Sequence, residues 1–188
     1  MRERTIASHF VRAALRGATR QGLDGPALLR RAGIQPALLD EPRARIAPEQ
    51  FTRLMQLLWE VLDDEYMGFG EVRSKRGTFA MMCHTLIHCR TLEKALQRGE
   101  LFYGLFPQAP LIHLRRDGDL VRLSLEERHL SDPDHFLAES LLVIWHRLAS
   151  WLIGQRIRLE EATFSYPAPD HQAEYDLLFP CPRRFSAG

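Results

Sequence analysis

The chain is poor in the residues that mark several large classes of protein. Its 188 residues hold only three cysteines, Cys83, Cys89 and Cys181. That small, odd number argues against a secreted disulfide framework and fits a reducing, cytoplasmic setting. An excess of either charge is also missing: Lys plus Arg is 25 against Asp plus Glu 24, a net charge of +1. A chain so balanced has no global pull towards nucleic acid or anionic membrane. The short basic spots Arg30-Arg31, Arg115-Arg116 and Arg183-Arg184 read as solvated surface.

Long apolar runs are absent as well. The opening residues MRERTIASHF have charges and no apolar h-region, so no signal peptide is expected. The most apolar stretch, 136–154, carries Glu139, His146 and Arg147, which suits a buried helix better than a membrane span. There is no Gly-rich phosphate loop and no GxSxG around any serine. Acidic pairs such as Asp63-Asp64, Glu126-Glu127 and Glu160-Glu161 read as turns and solvated strand ends.

What is present is a clear order of periodicities. Apolar spacing predicts helices over 5–16, 46–68, 77–91, 91–106 and 133–153. Asp24 and Thr91 are N-cap candidates, Pro26 and Pro48 suit first turns, and Gly17, Gly22, Gly33 and Gly154 mark helix ends. Between 111 and 127 the period shortens, with two apolar runs around Asp117-Gly118-Asp119, a hairpin signal in which Val121, Leu123 and Leu125 share a face. A further strand is expected within 158–169 and a short helix over 170–179, after which CPRRFSAG trails off. The fold class is therefore α+β: a helical part over 1–75, then a small mixed or antiparallel sheet covered by a long helix over 76–188, all in one domain.

The stretch MMCHTLIHC (81–89) raises the question of a metal. On a helix turning about 100° per residue, His84 and His88 share a face, whereas Cys83 sits in the apolar arc and Cys89 at its far edge. One helix cannot converge all of these on zinc, and no Glu follows His84 as in a metalloprotease helix. Cys83 and His84 point about 100° apart, a poor nucleophile–base pair, so a buried inert thiol is expected. No metal, no cofactor and no catalytic group is expected.

Aromatic and apolar residues with a few polar anchors instead suggest a small-molecule site. The candidates are Phe79, Met82, Cys83, His84, Phe102, Phe106, Glu139, Trp145, His146 and Arg147, with Tyr103 and Trp151 nearby. Glu139 and Arg147 lie within about 80° of each other on one helix, as a buried pair or a carboxylate-binding arginine would.

These residues resemble the N-terminal effector-binding and dimerisation domain of a subgroup of bacterial AraC-family transcription regulators. The similarity starts in the helices of 22–64. It continues through Gly77, Phe79, Thr91, Leu92, Ala95 and Leu96, then Leu137, Ala138, Glu139, Arg147, Trp151 and Gly154. It is most specific in PAPDHQAEYDLLFPCPRRF (167–185), through Pro167, Pro169, Glu174, Tyr175, Phe179, Cys181, Pro182 and Phe185. His84, His88 and Cys89 depart from that pattern, which gives them no metal role. The resemblance implies a regulatory domain that takes a small effector and forms a homodimer, and the apolar, aromatic helix faces favour an apolar or amphipathic effector, an acid in particular. DNA would be reached only through a C-terminal helix-turn-helix unit, expected to be absent from this chain. A haem or metal sensor using His84 or His88, and a ligand-free dimerisation module, are the alternatives. Exposed apolar residues of 91–106 are the candidate dimer face.

Overall fold

A computed structural model describes residues 5–41 and 43–187. The reading of the first four residues and of Pro42 and Gly188 lies outside those bounds. The described part is α+β and falls into two compact units, Met1–Glu139 and Ser140–Gly188.

The first unit opens with strand β1 (Ile6–Ala7) and helix α1 (Ser8–Arg20), which buries Val11, Ala14, Leu15 and Ala18 along one face. Helix α2 (Gly25–Arg31) starts where Asp24 accepts a hydrogen bond from the Ala27 N–H at 3.0 Å, as a capping aspartate does. A 3-10 turn over Pro36–Asp40 and strand β2 (Arg45–Ile46) follow, and β2 pairs antiparallel with β1. Helix α3 (Pro48–Leu62) buries Leu54, Leu57, Leu58 and Leu62.

Two helix ends differ from the sequence reading, each for a local reason. Helix α1 runs on through Gly17 to Arg20. Gly17 is no terminator but a crossing point: a Cβ there would lie 1.9 Å from the Met67 carbonyl oxygen. Facing it is Gly68, at φ +80°, a conformation open to glycine. Helix α3 stops at Leu62, short of the expected 68, because Asp63 turns left-handed at φ 46°. Asp64 then draws the chain into a loop. Its Oδ1 accepts from the backbone N–H of Tyr66 at 2.9 Å and Ser74 at 2.8 Å, and its Oδ2 from Gly68 at 2.8 Å. Asp64 is 1% exposed. The expectation of a solvated acidic pair is thus corrected: Asp63 is exposed, Asp64 is buried and fully engaged.

Helix α4 (Thr78–Leu86) ends five residues before the predicted boundary at 91. Carbonyls of its last turns are taken by side chains: Thr85 Oγ1 donates to Met82 O at 2.7 Å and Arg98 Nη1 to Thr85 O at 3.2 Å. The chain must then be extended at Thr91, which caps helix α5 (Leu92–Tyr103) through the Lys94 N–H. Strands β3 (Leu111–Asp117) and β4 (Leu120–Glu126) form the predicted hairpin, in register from Leu111↔Glu126 to Asp117↔Leu120. Gly118 has φ +58° in its two-residue turn.

Helix α6 (Phe136–Leu152) begins where Asp132 accepts from the N–H of Phe136 and of Ala138, both at 3.0 Å. Burial pushes the Asp132 carboxyl up, and those N–H groups pull it partly back. The second unit is built on an aromatic cluster. Phe164, Tyr175 and Phe179 are buried, with Leu142, Val143, Tyr166 and Phe185 packed on them. Phe185 stacks on Phe164 at 5.1 Å and on Tyr175 at 5.8 Å. The strand expected within 158–169 is only β5 (Ala162–Thr163), and it pairs in parallel with β6 (Arg183–Arg184). The tail therefore does not trail off: it supplies β6 and the Phe185 ring. Helix α7 (Tyr175–Leu178) carries Tyr175 into the cluster. Among the described residues the strands make three separate two-stranded pairs.

Two substitutions test this frame by chemical denaturation. Asp64→Ala strands three N–H groups and is expected to lower stability by roughly 3–5 kcal/mol. Gly17→Ala improves helix propensity by about 1 kcal/mol, yet is expected to destabilise because its methyl meets the Met67 carbonyl. Stabilisation by Gly17→Ala would contradict the crossing.

Candidate binding cleft

Helix α3 hands the chain to the loop 63–77, and this loop meets the end of α5. Glu65 fixes the far side of the loop. Its Oε1 accepts from the Gly77 N–H at 2.7 Å and its Oε2 from the Phe79 N–H at 2.9 Å, so the carboxylate sits on the N-terminal turn of α4, where the helix dipole favours negative charge. Its own N–H donates to Ser74 O at 2.6 Å. Asp64 and Glu65 together hold Ser74 by its N–H, its carbonyl and its hydroxyl.

A cleft of about 250 Å³ opens between this loop and the segment after α5. Tyr66, Val72, Ser74 and Thr78 line one side, Tyr103, Phe106, Pro107 and Ala109 the other, and Arg73 and Lys75 also border it. Tyr66 and Tyr103 are 4% and 6% exposed. Burial pushes both phenols well above the usual tyrosine range, so they stay un-ionised. Tyr66 also has a side-chain hydrogen bond with Ser74. The Phe106 ring packs at 5.4 Å from Phe102 and 6.4 Å from Tyr103. Beyond Phe106 and Pro107 lies a second cleft, of about 230 Å³, with Glu126, Arg128 and His129 on its wall.

The expected site residues are distributed as follows. Phe106 lines both clefts and is 41% exposed. Phe102 is half-buried beside it. On α4, Met82 is buried, Phe79 and Cys83 are half-buried, and His84 is exposed. Burial pushes the Cys83 thiol up, and Glu65 adds to it. Glu139 is buried at the end of the first unit. Trp145, His146 and Arg147 belong to the second unit, where Trp145 is buried and Arg147 exposed. His146 Nε2 lies 2.9 Å from Ile157 O, while Ser150 Oγ accepts from the Ile157 N–H. Both side chains thereby fold the turn after α6 back on the helix.

Helix α4 ends before His88, so His84 and His88 do not share a helical face as the spacing suggested, and both are exposed. Among the described residues no group of three or more His, Cys, Asp or Glu is gathered to hold a metal ion. Nor, among them, is any helix long and apolar enough to cross a membrane. Sequence reasoning missed Tyr66, Ser74, Lys75 and Thr78. The segment EVRSKRGT has no periodicity, and its signal is three cationic residues, Arg73, Lys75 and Arg76, just before a helix start.

Apolar walls, neutral phenols, hydroxyls and two cationic side chains surround this small cleft, a lining of the kind small-molecule sites have. The chain belongs to the family described as the arabinose-binding domain of AraC transcription regulator, N-term, whose model matches residues 22–188. It is similar to an ornithine utilization regulator of Pseudomonas aeruginosa, 24% identical over 173 residues that cover 90% of this chain and 51% of the relative. The chain thus spans about half the length of that relative.

The raised thiol gives a direct check in a Cys89→Ser/Cys181→Ser background. The labelling rate of Cys83 by a thiol reagent is expected to climb roughly tenfold per pH unit through the neutral range, following the thiolate fraction. A rate that plateaus near neutral pH would show an activated cysteine.

Proposed function

We propose that this module senses a small amphipathic acid in the cleft between the 63–77 loop and the end of α5. We further propose that it pairs with a second copy and biases DNA binding by a second half of the regulator. The observation that carries the ligand class is the cleft's lining. Tyr66, Tyr103, Phe106 and Pro107 offer apolar surface, and Arg73 and Lys75 offer positive charge, with no acidic side chain among the lining residues. A carboxylate meets those cations and its tail the rings. At about 250 Å³ the cleft is below the size range of drug-sized sites, which favours a compact ligand. Ornithine, in the name of the similar regulator, carries a side-chain ammonium that this lining does not match.

Phe106 forms the direct contact in this reading, with Phe102, Phe79, Met82 and Cys83 behind the walls. An effector that binds one arrangement of the loop better than another shifts the population of that arrangement, and so the affinity for DNA.

The test is a thermal-shift screen with short fatty acids, aromatic acids, amino acids, sugars, zinc and haem. One class of acid is expected to raise Tm saturably. At a hundredfold excess over Kd the stabilisation is about 2.7 kcal/mol, a rise of roughly 5–10 °C for a chain of this size. Phe106→Ala and Lys75→Ala are each expected to weaken binding about tenfold or more. A response confined to sugars, zinc or haem, or one indifferent to both substitutions, would overturn the assignment.

A further inference from the structure

Every hydroxyl on the loop wall of the 250 Å³ cleft has its proton committed. Thr78 Oγ1 donates to Lys75 O at 2.6 Å, and Ser74 Oγ donates to Glu65 Oε2 at 3.4 Å. A carboxylate only accepts, so in the bond between Tyr66 and Ser74 the Tyr66 hydroxyl is the donor. The amides of this wall are engaged too. Those of Tyr66 and Ser74 donate to Asp64, those of Gly77 and Phe79 to Glu65, and that of Thr78 to Lys75 O at 3.0 Å. The Gly77, Thr78 and Phe79 amides, which an anion would otherwise seek at the start of α4, are therefore taken. Two kinds of polar group remain on the wall. The Arg73 and Lys75 side chains have no hydrogen bond or ion pair among the described residues, and they only donate. The hydroxyl oxygens offer lone pairs and only accept. Of these, Ser74 is 6% exposed and its oxygen already bonds Tyr66 and Glu65. Thr78 is half-buried, and its oxygen accepts no bond among the described residues.

We infer that Thr78 Oγ1 is the specificity-determining acceptor of this cleft, and that the effector is an acid whose apolar body bears a neutral hydrogen-bond donor, a hydroxyl in particular. The inference rests on the reading of the cleft as a site for a small acid and names the second polar group of that acid. The direction of the protons does the selecting. A hydroxyl on the ligand donates to Thr78 Oγ1 while the carboxylate meets Arg73 and Lys75. A ketone or ether oxygen in the same place sets lone pair against lone pair. Turning the Thr78 hydroxyl towards it would break the bond to Lys75 O and leave that oxygen with the Thr78 amide alone. An ammonium would also find an acceptor in Thr78, but it would lie beside two cations with no acidic side chain among the lining residues. A charge taken from water without a counter-charge is costly, and a neutral donor avoids that cost.

The test is calorimetric titration of the chain with two series of acids. One is benzoate carrying a hydroxyl, a methyl or a methoxy group at the meta or para position. The other is hexanoate with and without a terminal hydroxyl. Hydroxyl and methyl are close in size, so their comparison reads the donor rather than the fit. In at least one series the hydroxyl form is expected to bind about tenfold or more tightly than its partners without a donor. In Thr78→Val that preference is expected to vanish, and in Thr78→Ser, which restores the oxygen, to return. Circular dichroism and Tm confirm that each variant is folded, and the preference in the wild-type chain is read without any variant. Forms without a donor that bind as tightly as the hydroxyl forms, or a preference that survives Thr78→Val, would overturn this inference and leave the acid site standing. Failure of every member of both series to bind would overturn the acid-site reading, and this inference with it.

Discussion

A carboxylate taken out of water must replace its hydration with hydrogen-bond donors, and Asp64 does so with three backbone N–H groups spread over the loop from Tyr66 to Ser74. The chain is thereby tied at the points that matter for everything around it. The bond to Gly68 sets the left-handed turn that lies against Gly17 of α1. The bond to Ser74 brings the far end of the loop back beside α3 and places Ser74 on the cleft wall. Glu65 continues the arrangement by fixing the start of α4. Helices α1, α3 and α4 are thus joined through two adjacent carboxylates, and the loop that they shape supplies one wall of the cleft.

This arrangement places a polar scaffold directly behind an apolar site. Within this loop Tyr66, Met67 and Phe69 are buried, whereas the stretch with Arg73 and Lys75 is exposed. That exposed stretch is held at Ser74 by hydrogen bonds to Asp64 and Glu65. A segment of that kind can change arrangement without disturbing the core, which is the property a sensor needs. The second unit is held differently, by the stacked rings of Phe164, Tyr175 and Phe185. Its most specific sequence motif is explained by that packing, since Tyr175, Phe179, Cys181 and Phe185 all belong to the cluster or touch it.

What could be read from the sequence was what is locally encoded. Asp24 before Gly-Pro, Thr91 before Leu-Glu-Lys and the Asp-Gly-Asp turn each specify their structure within a few residues, and α2, α5 and the hairpin follow. What could not be read depends on partners far along the chain. Asp64 looks like any acid in an Asp-Asp-Glu run until Ser74 returns to it. Gly17 looks like a helix stop until Met67 lies against it. Arg183 and Arg184 look like a charged tail until Ala162 and Thr163 offer them an edge. The site divides in the same way. Phe102 and Phe106 were visible as an aromatic helix face, whereas Ser74 and Lys75 lie in a polar stretch that becomes a wall only because two carboxylates bend it.

The account depends most on Asp64 holding the loop, and hydrogen exchange resolved at single amides reads this directly. In the wild-type chain the Tyr66, Gly68 and Ser74 amides should be protected as strongly as those of the buried turns of α3. In Asp64→Ala these three should exchange together by local opening, ahead of the α3 amides. Fast exchange of the three amides in the wild type would contradict the claim, and so would unchanged protection in the variant.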